Sequence, residues 1–209
     1  KKISEKNKDT IGFVGAPWTL LLYMLNRKSP KEGNFNVFPK NRDIDNILIK
    51  LDNFLKIHIE AQIENGASII QIFDSWAGLV PEKDLDYFVY KPIKSLVDFI
   101  KKKRSISICF PRNIDNYKKF VENVNPDIIN IDYNVDPSTI RDTIDIPVQG
   151  GFDPKILLQN KDIVRDEVTK YLKTFDQKRY IFNLGHGVLP DTNPDMVKYL
   201  VDIVRSFNG

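Results

Sequence analysis

The sequence predicts an α/β fold of the (β/α)8-barrel type, represented by about six of the eight strand–helix units in a partial, open barrel. Six short apolar segments alternate along the chain with segments of helical period. Several strands run directly into Gly, Ser, Asp or His, which is typical of loops that carry a site at the carboxyl ends of parallel strands. A closed barrel needs eight strands. Either two are therefore missing on the amino-terminal side, or the sheet is open.

A nucleotide-binding doubly wound sheet is less well supported. The chain contains neither a Gly-x-Gly-x-x-Gly fingerprint nor a phosphate-loop motif.

The first part of the chain begins with a charged surface segment over residues 1–10. Strands are predicted at 11–15, 68–73 and 105–110, and helices at 20–25, 44–63, 92–102 and 116–124. Pro17 just inside the first helix is favourable, because its missing N–H would have no partner there. A polar loop is expected over 28–42. His58 lies on the apolar stripe of the second helix, so we expect it to be packed and bonded to the backbone rather than to act as a ligand.

The second part of the chain continues the alternation. Strands are predicted at 127–131, 147–151 and 180–184, and helical regions at 154–175 and from Pro194 onwards. Residues 180–184 should form a short buried strand, because β-branched and aromatic side chains dominate them.

Composition indicates an ordinary globular protein. The 209 residues are 42% hydrophobic and 28% charged, which predicts a single domain over 1–209 with a sizeable core. The net charge of +3 is compatible with an anionic small molecule and too weak to indicate nucleic acid. The single cysteine, Cys109, excludes an internal disulfide framework and suits a reducing compartment, so we expect a cytoplasmic protein. We expect no membrane span and no signal peptide. The chain does not begin with Met, which is compatible with a fragment or a processed product.

The sequence Gly-His-Gly directly after the last predicted strand marks a candidate site. His186 is one of only two histidines, and the glycines on both sides permit backbone angles that a side chain would forbid. The carboxyl end of a parallel strand is where ligands bind in this fold class. The alternative is a loop histidine that only caps the following turn.

Four ordered blocks resemble signatures of the uroporphyrinogen decarboxylase family. They are GFVGAPWTL (12–20) with Tyr23-Met24 behind it, FDSWAG (73–78), QGGFDP (149–154) and NLGHG (183–187). Their order and approximate spacing match the family from residue 11 to the carboxyl end. The chain thus resembles the carboxyl-terminal two thirds of such a protein.

The resemblance implies a barrel enzyme, commonly a homodimer, that decarboxylates the four acetate side chains of uroporphyrinogen to give coproporphyrinogen without a cofactor or a metal. By this match Tyr23 and His186 are the catalytic candidates, and Tyr23, Ser75 and His186 are the substrate contacts. Taken alone, Tyr23 could be an interfacial helix residue and Ser75 a helix cap. We expect the three side chains to meet at one mouth of the sheet.

The sequence also departs from the family pattern. Family arginines that hold substrate carboxylates, and an aspartate that binds the pyrrole N–H groups, belong to an amino-terminal third that this chain lacks. A glycine-rich continuation usually follows the counterpart of Arg112, where this chain has Asn113-Ile114-Asp115. Arg112 is a candidate carboxylate contact, with simple surface solvation as the alternative. Gly151-Phe152 replaces the usual Asn-Leu. We therefore expect the 209-residue chain alone to be inactive.

Two other functions remain open at this point. A corrinoid–thiol methyltransferase of the same superfamily would use zinc, and such a site needs thiolate and imidazole ligands. Cys109 lacks the nearby His of a His-x-Cys pair, and there is no second cysteine. The other alternative is a catalytically silent tetrapyrrole-binding barrel fragment.

Overall fold

The computed structural model describes residues 9–26, 40–175 and 179–207. Within them, six strands alternate with seven α-helices, and the chain divides into two compact units that meet in sequence between Ile128 and Ile129. Most of the predicted charged segment 1–10 and most of the predicted polar loop 28–42 lie outside the described residues. No helix in the described ranges combines the length and the apolar content needed to cross a membrane.

The first unit is built on three parallel strands. They are β1 (Ile11–Gly15), β2 (Ile69–Asp74) and β3 (Ile106–Pro111). In the register, Gly15 is opposite Phe73, and Phe73 is opposite Phe110. The strands therefore end at the same edge, and the segments that follow them lie side by side there.

The first unit also contains four helices. They are α1 (Pro17–Asn26), α2 (Arg42–Glu64), α3 (Lys91–Lys102) and α4 (Tyr117–Val124). Asn41 and Asn116 cap α2 and α4 by accepting hydrogen bonds from backbone N–H groups. Three short helical turns connect β2 to α3, at Ala77–Leu79, Glu82–Asp84 and Asp86–Tyr90. The apolar periodicity of the sequence did not predict them.

β1 pairs with one strand, β2, among the described residues, and a side chain occupies part of its outer edge. The Phe13 N–H donates to Gln62 Oε1 at 2.9 Å, and Gln62 Nε2 donates to the Phe13 carbonyl at 3.2 Å. The amide of a glutamine on α2 thus forms the two bonds that a neighbouring strand would otherwise form. Phe13 itself is 66% exposed.

The prediction that His58 packs into the core is wrong. The buried residues of α2 are Ile44, Leu51, Leu55 and Ile59, and His58 lies outside this stripe. Its imidazole is exposed and stacks on Phe54, with ring centroids 6.4 Å apart.

The second unit contains β4 from Ile129 onwards, β5 and β6, which pair in parallel. The three strands are β4 (Ile128–Ile131), β5 (Val148–Gly150) and β6 (Tyr180–Ile181). The helices are α5 (Pro137–Thr143), α6 (Lys161–Thr174) and α7 (Pro194–Ser206). Their core contains Phe152, Leu157, Val164, Val168 and Leu200, with the other apolar residues of α7 partly buried around it.

The second unit differs from the sequence prediction in three elements. β6 is two residues long and only partly buried, and beyond it the pairing resumes as a single parallel bridge between Phe152 and Leu184. Tyr180 and Phe182 pack with Tyr171 and Phe175 in an aromatic cluster. The predicted helix over 154–175 is a 3₁₀ turn (Pro154–Leu158) followed by α6, which begins after its cap Asn160. The short helix α5 was not predicted.

Candidate functional site

Ser75 follows β2 directly and is half-buried. The segment after β2 is held against the segment after β3, since the Arg112 N–H donates to the Asp74 carbonyl and the Gly78 N–H donates to the Arg112 carbonyl, each at 3.0 Å. Ser75 therefore sits on a short connection whose backbone is bonded on both sides.

Tyr23 lies on α1 and is 38% exposed. Its ring meets the ring of Trp76 edge to face, with centroids 6.5 Å apart. The indole N–H of Trp18, also on α1, donates to the Trp76 carbonyl at 2.9 Å. The first unit thus brings Tyr23 next to the residue that follows Ser75.

Asp74 is a residue of this region that the sequence analysis did not single out. Its carboxyl group is fully buried, and Oδ1 accepts a hydrogen bond of 2.6 Å from the Thr19 hydroxyl. The Trp76 N–H also bonds to the carboxyl group. Burial raises the pKa of Asp74 to about 7, although these two bonds oppose the rise. Its place between a buried strand and Ser75 was visible in the sequence, but its burial was not.

Arg112 begins the segment after β3 and is half-buried. Its Nε atom is buried, and in the described part of the chain that atom has no hydrogen-bond partner and the guanidinium forms no ion pair. Such a guanidinium suits a carboxylate. Its role as a substrate contact stays a prediction.

His186 belongs to the second unit. Its imidazole is exposed and lies near the ring of Tyr133, with centroids 6.4 Å apart in an edge-to-face arrangement. Gly185 lies so close to the Tyr133 backbone that a Cβ there would collide with it, whereas a Cβ on Gly187 would meet open space. Neither glycine has a positive φ. The prediction that both glycines are needed for backbone angles forbidden to other residues is therefore wrong. The close packing of Gly185 against the Tyr133 backbone accounts for Gly185, but nothing comparable accounts for Gly187.

Buried amides lie near the ends of β4 and β5. Gln149 Nε2 donates to Asn130 Oδ1 at 2.7 Å, and both side chains are almost fully buried. Gly150 has a φ of +82°, and a Cβ there would lie 2.9 Å from Asn130 Nδ2. The pair fixes the end of β5 just before the QGGFDP block turns away.

Cys109 lies inside β3 and is fully buried. Burial, with the nearby charges of Asp127 and Asp74, raises the pKa of its thiol well above the ordinary range. A thiol in this environment is a poor source of a thiolate ligand. This observation counts against the zinc-dependent methyltransferase alternative.

A cavity of about 300 Å³ in the first unit lies between the turns after β2 and the start of α4. Its wall includes Gly78, Tyr90 and Asn113 and an ion pair of 2.9 Å between Lys119 and Glu82. Tyr23, Ser75 and Arg112 do not line it. It is thus separate from the residues that the sequence singled out.

Tyr23, Ser75 and Arg112 all belong to the first unit, and backbone bonds join the segments after β2 and β3 that carry two of them. The meeting of His186 with these residues stays a prediction.

Comparison with known proteins identifies relatives over nearly the whole chain. The family model described as uroporphyrinogen decarboxylase (URO-D) matches residues 1–207. A uroporphyrinogen decarboxylase of Rickettsia bellii is 39% identical, with 99% of this chain and 63% of the relative covered. One from Wolbachia pipientis is 36% identical, with 97% and 61% covered. The chain spans less than two thirds of the length of these curated relatives.

Solved structures share the fold at low sequence identity. A B12-independent methionine synthase from Shewanella has a TM-score of 0.64 and 14% identity, over 97% of this chain and 64% of that one. A dihydropteroate synthase from Anaplasma phagocytophilum has a TM-score of 0.56 and 16% identity, over 93% and 72%. These barrel-type neighbours, together with six parallel strands alternating with helices, confirm the predicted partial (β/α)8 fold.

Proposed function

The chain belongs to the uroporphyrinogen decarboxylase family, and from this premise we propose that the protein carrying it converts uroporphyrinogen III to coproporphyrinogen III in porphyrin biosynthesis. The observation that carries the proposal is the family match over residues 1–207. All four sequence blocks that resemble the family fall within that match.

The reaction replaces each of four acetate side chains by a methyl group and releases CO₂. A proton added to the ring α-carbon next to the carbon that bears the acetate makes the ring cationic and imine-like, and the acetate-bearing carbon shares the positive charge. The electron pair of the breaking C–C bond then flows into the ring. The exocyclic carbon takes up a proton, and the ring carbon releases the one it gained. Because the substrate is its own electron sink, the protein need only orient it, stabilise the cation and supply protons.

In the first unit, Tyr23 and Ser75 supply substrate contacts. The exposed phenol of Tyr23 donates a hydrogen bond to a carboxylate or helps to move a proton. The Ser75 hydroxyl can both donate and accept, which suits an adaptable contact rather than an acid. The guanidinium of Arg112, which forms no ion pair with the residues that the structure describes, binds a further carboxylate, since the substrate carries several.

In the second unit, His186 is the acid–base candidate. Its imidazole is exposed next to Tyr133, and an imidazole has one ring nitrogen that can donate a proton and one that can accept it. It therefore donates to a substrate carboxylate and transfers protons during turnover.

The test uses the two histidines of the chain as a matched pair. In the protein at its natural length, we expect His186→Asn to lower kcat/KM for uroporphyrinogen about a hundredfold. His58→Asn, which changes an exposed histidine on α2, should stay within about twofold. Wild-type protein that does not convert uroporphyrinogen refutes the proposal, and tight binding without turnover supports the silent-fragment alternative.

The 209-residue chain alone is proposed to be inactive, because the family's amino-terminal carboxylate-binding arginines are not part of it. Detectable conversion of uroporphyrinogen by this chain would overturn that half of the proposal. We also propose a single domain over 1–209, a homodimer at natural length and a cytoplasmic location. The homodimer can be checked by analytical ultracentrifugation.

A further inference from the structure

The bond between Thr19 and Asp74 joins two segments that carry proposed substrate contacts. Thr19 lies on α1, 4% exposed, and Asp74 ends β2 with no exposure. Their hydroxyl–carboxyl bond of 2.6 Å is therefore shielded from water. Tyr23 follows Thr19 by four residues on the same helix, which places the two on one side of α1. Ser75 follows Asp74 directly.

A second set of bonds supports the same junction. The Trp76 N–H bonds back to the Asp74 carboxyl group, which closes a turn around Ser75. The Trp76 carbonyl accepts from the Trp18 indole, and the Trp76 ring meets that of Tyr23. Asp74 is therefore bonded both to α1, which carries Tyr23, and to the segment after β2, which carries Ser75.

A purely structural role does not require a carboxylate at this position. No cation among the described residues pairs with Asp74, and its Oδ2 is buried with no hydrogen-bond partner in those residues. A buried carboxyl group without a cation is unfavourable, and an apolar side chain of similar size is often tolerated as well or better. Trp76 Nε1 and Arg112 Nε are likewise buried, and neither atom has a hydrogen-bond partner among the described residues. So much unmet hydrogen bonding is typical of functional sites.

We infer that Asp74, through Thr19 and the Trp76 backbone, is a positioning residue that holds Tyr23 and Ser75 in the arrangement needed to bind uroporphyrinogen. The inference rests on the proposed function. Because Asp74 is fully buried, it acts through its two partners and does not itself contact substrate.

The charge on Asp74 should modulate this arrangement. Both partners donate to the carboxyl group, so its ionised form strengthens both bonds. Two titratable residues lie beside it: Cys109 on β3, on whose thiol pKa Asp74 acts, and Arg112, whose backbone N–H donates to the Asp74 carbonyl. The raised pKa of the Cys109 thiol keeps that group uncharged near neutral pH. A change of kcat/KM near pH 7 that disappears with Asp74 would thus report this carboxyl group.

The test compares three variants in the protein at its natural length. Thr19→Val removes the hydroxyl at nearly constant volume, and we expect kcat/KM to fall about tenfold to a hundredfold, since small misplacements at a site have effects of this size. Thr19→Ser restores the hydroxyl and should recover most of the loss. Asp74→Asn keeps an acceptor oxygen, and its kcat/KM should lack the rise through about pH 7 that we expect from ionisation of Asp74 in the wild type.

The outcomes separate this inference from the proposed function. Wild-type protein without turnover or binding of uroporphyrinogen overturns both. Wild-type turnover with an unimpaired Thr19→Val variant overturns the inference alone. So does an Asp74→Asn variant whose pH profile matches that of the wild type. A purely structural role would lower the melting temperature of Thr19→Val without the pH signature in Asp74→Asn.

Discussion

Gly151 has a φ of +92°, and the hydroxyl oxygen of Tyr171 lies where its Cβ would be. An alanine there combines an unfavourable backbone conformation with a collision against the hydroxyl group of Tyr171. We expect Gly151→Ala to lower the free energy of unfolding by about 2 kcal/mol or more. Gly187→Ala is the matched control, because a Cβ at Gly187 meets nothing within 4 Å. It should change stability by less than about 0.5 kcal/mol. If urea unfolding shows the same loss of stability in both variants, the tight packing inferred at Gly151 is contradicted.

Asp74 makes stability depend on pH. Its pKa is 3.8 in the unfolded reference and about 7 in the folded chain, so between these values the folded chain binds the proton more tightly. The contribution of Asp74 to the free energy of unfolding is therefore largest below about pH 4, falls as the pH rises, and levels off above about pH 7.

The measurement is urea unfolding of the wild type and Asp74→Asn from about pH 4 to 8. The variant, uncharged throughout, should gain stability relative to the wild type as the pH rises. A difference that stays constant over this range would show that the Asp74 pKa is not raised.

At the scale of elements, the edge of β1 depends on one side chain. Gln62→Leu replaces the side chain by a shorter, apolar one and removes both bonds to the Phe13 backbone. We expect a loss of about 1 to 2 kcal/mol in stability. Self-association should also increase, because a bare strand edge with an exposed Phe13 is a template for pairing. Light scattering against concentration measures the association.

The control for this change is Glu64→Gln, an exposed substitution on the same helix, which should behave like the wild type. A Gln62→Leu variant whose light scattering matches that of the wild type at every concentration would show that the Gln62 amide does not protect the edge.

At the scale of the whole molecule, the single thiol reports on the integrity of the first unit. Cys109 is buried inside β3, and its pKa is raised. Thiol reagents attack the thiolate of an accessible cysteine. We expect labelling of the native chain to be about a thousandfold slower than in denaturant. Rapid labelling without denaturant would show that β3 opens readily.

The strand–helix alternation could be predicted from the sequence because apolar periodicity reports burial directly. All six strands and most helices lie within a few residues of the predicted positions. The seven-residue α5 was missed because it is too short to show a period, although Asp136 and Pro137 form a recognisable helix start. His58 was misplaced because it lies just beside the buried stripe of α2.

For the candidate site, the sequence could predict only the types of residue present and their positions relative to the strands. The sequence places Ser75, Arg112 and His186 after strands, and the structure agrees. It could not reveal the burial of Asp74 or its bond to Thr19, because these depend on contacts between segments 55 residues apart.

The two tryptophans of the chain, Trp18 and Trp76, are joined by the indole–carbonyl hydrogen bond between α1 and the end of β2. All the indole fluorescence of these 209 residues therefore originates from one junction. Local opening there would change the emission at once, while fraying confined to α7 would leave it unchanged. The chain thus contains an optical probe of its own proposed substrate-binding region, and no label is needed to use it.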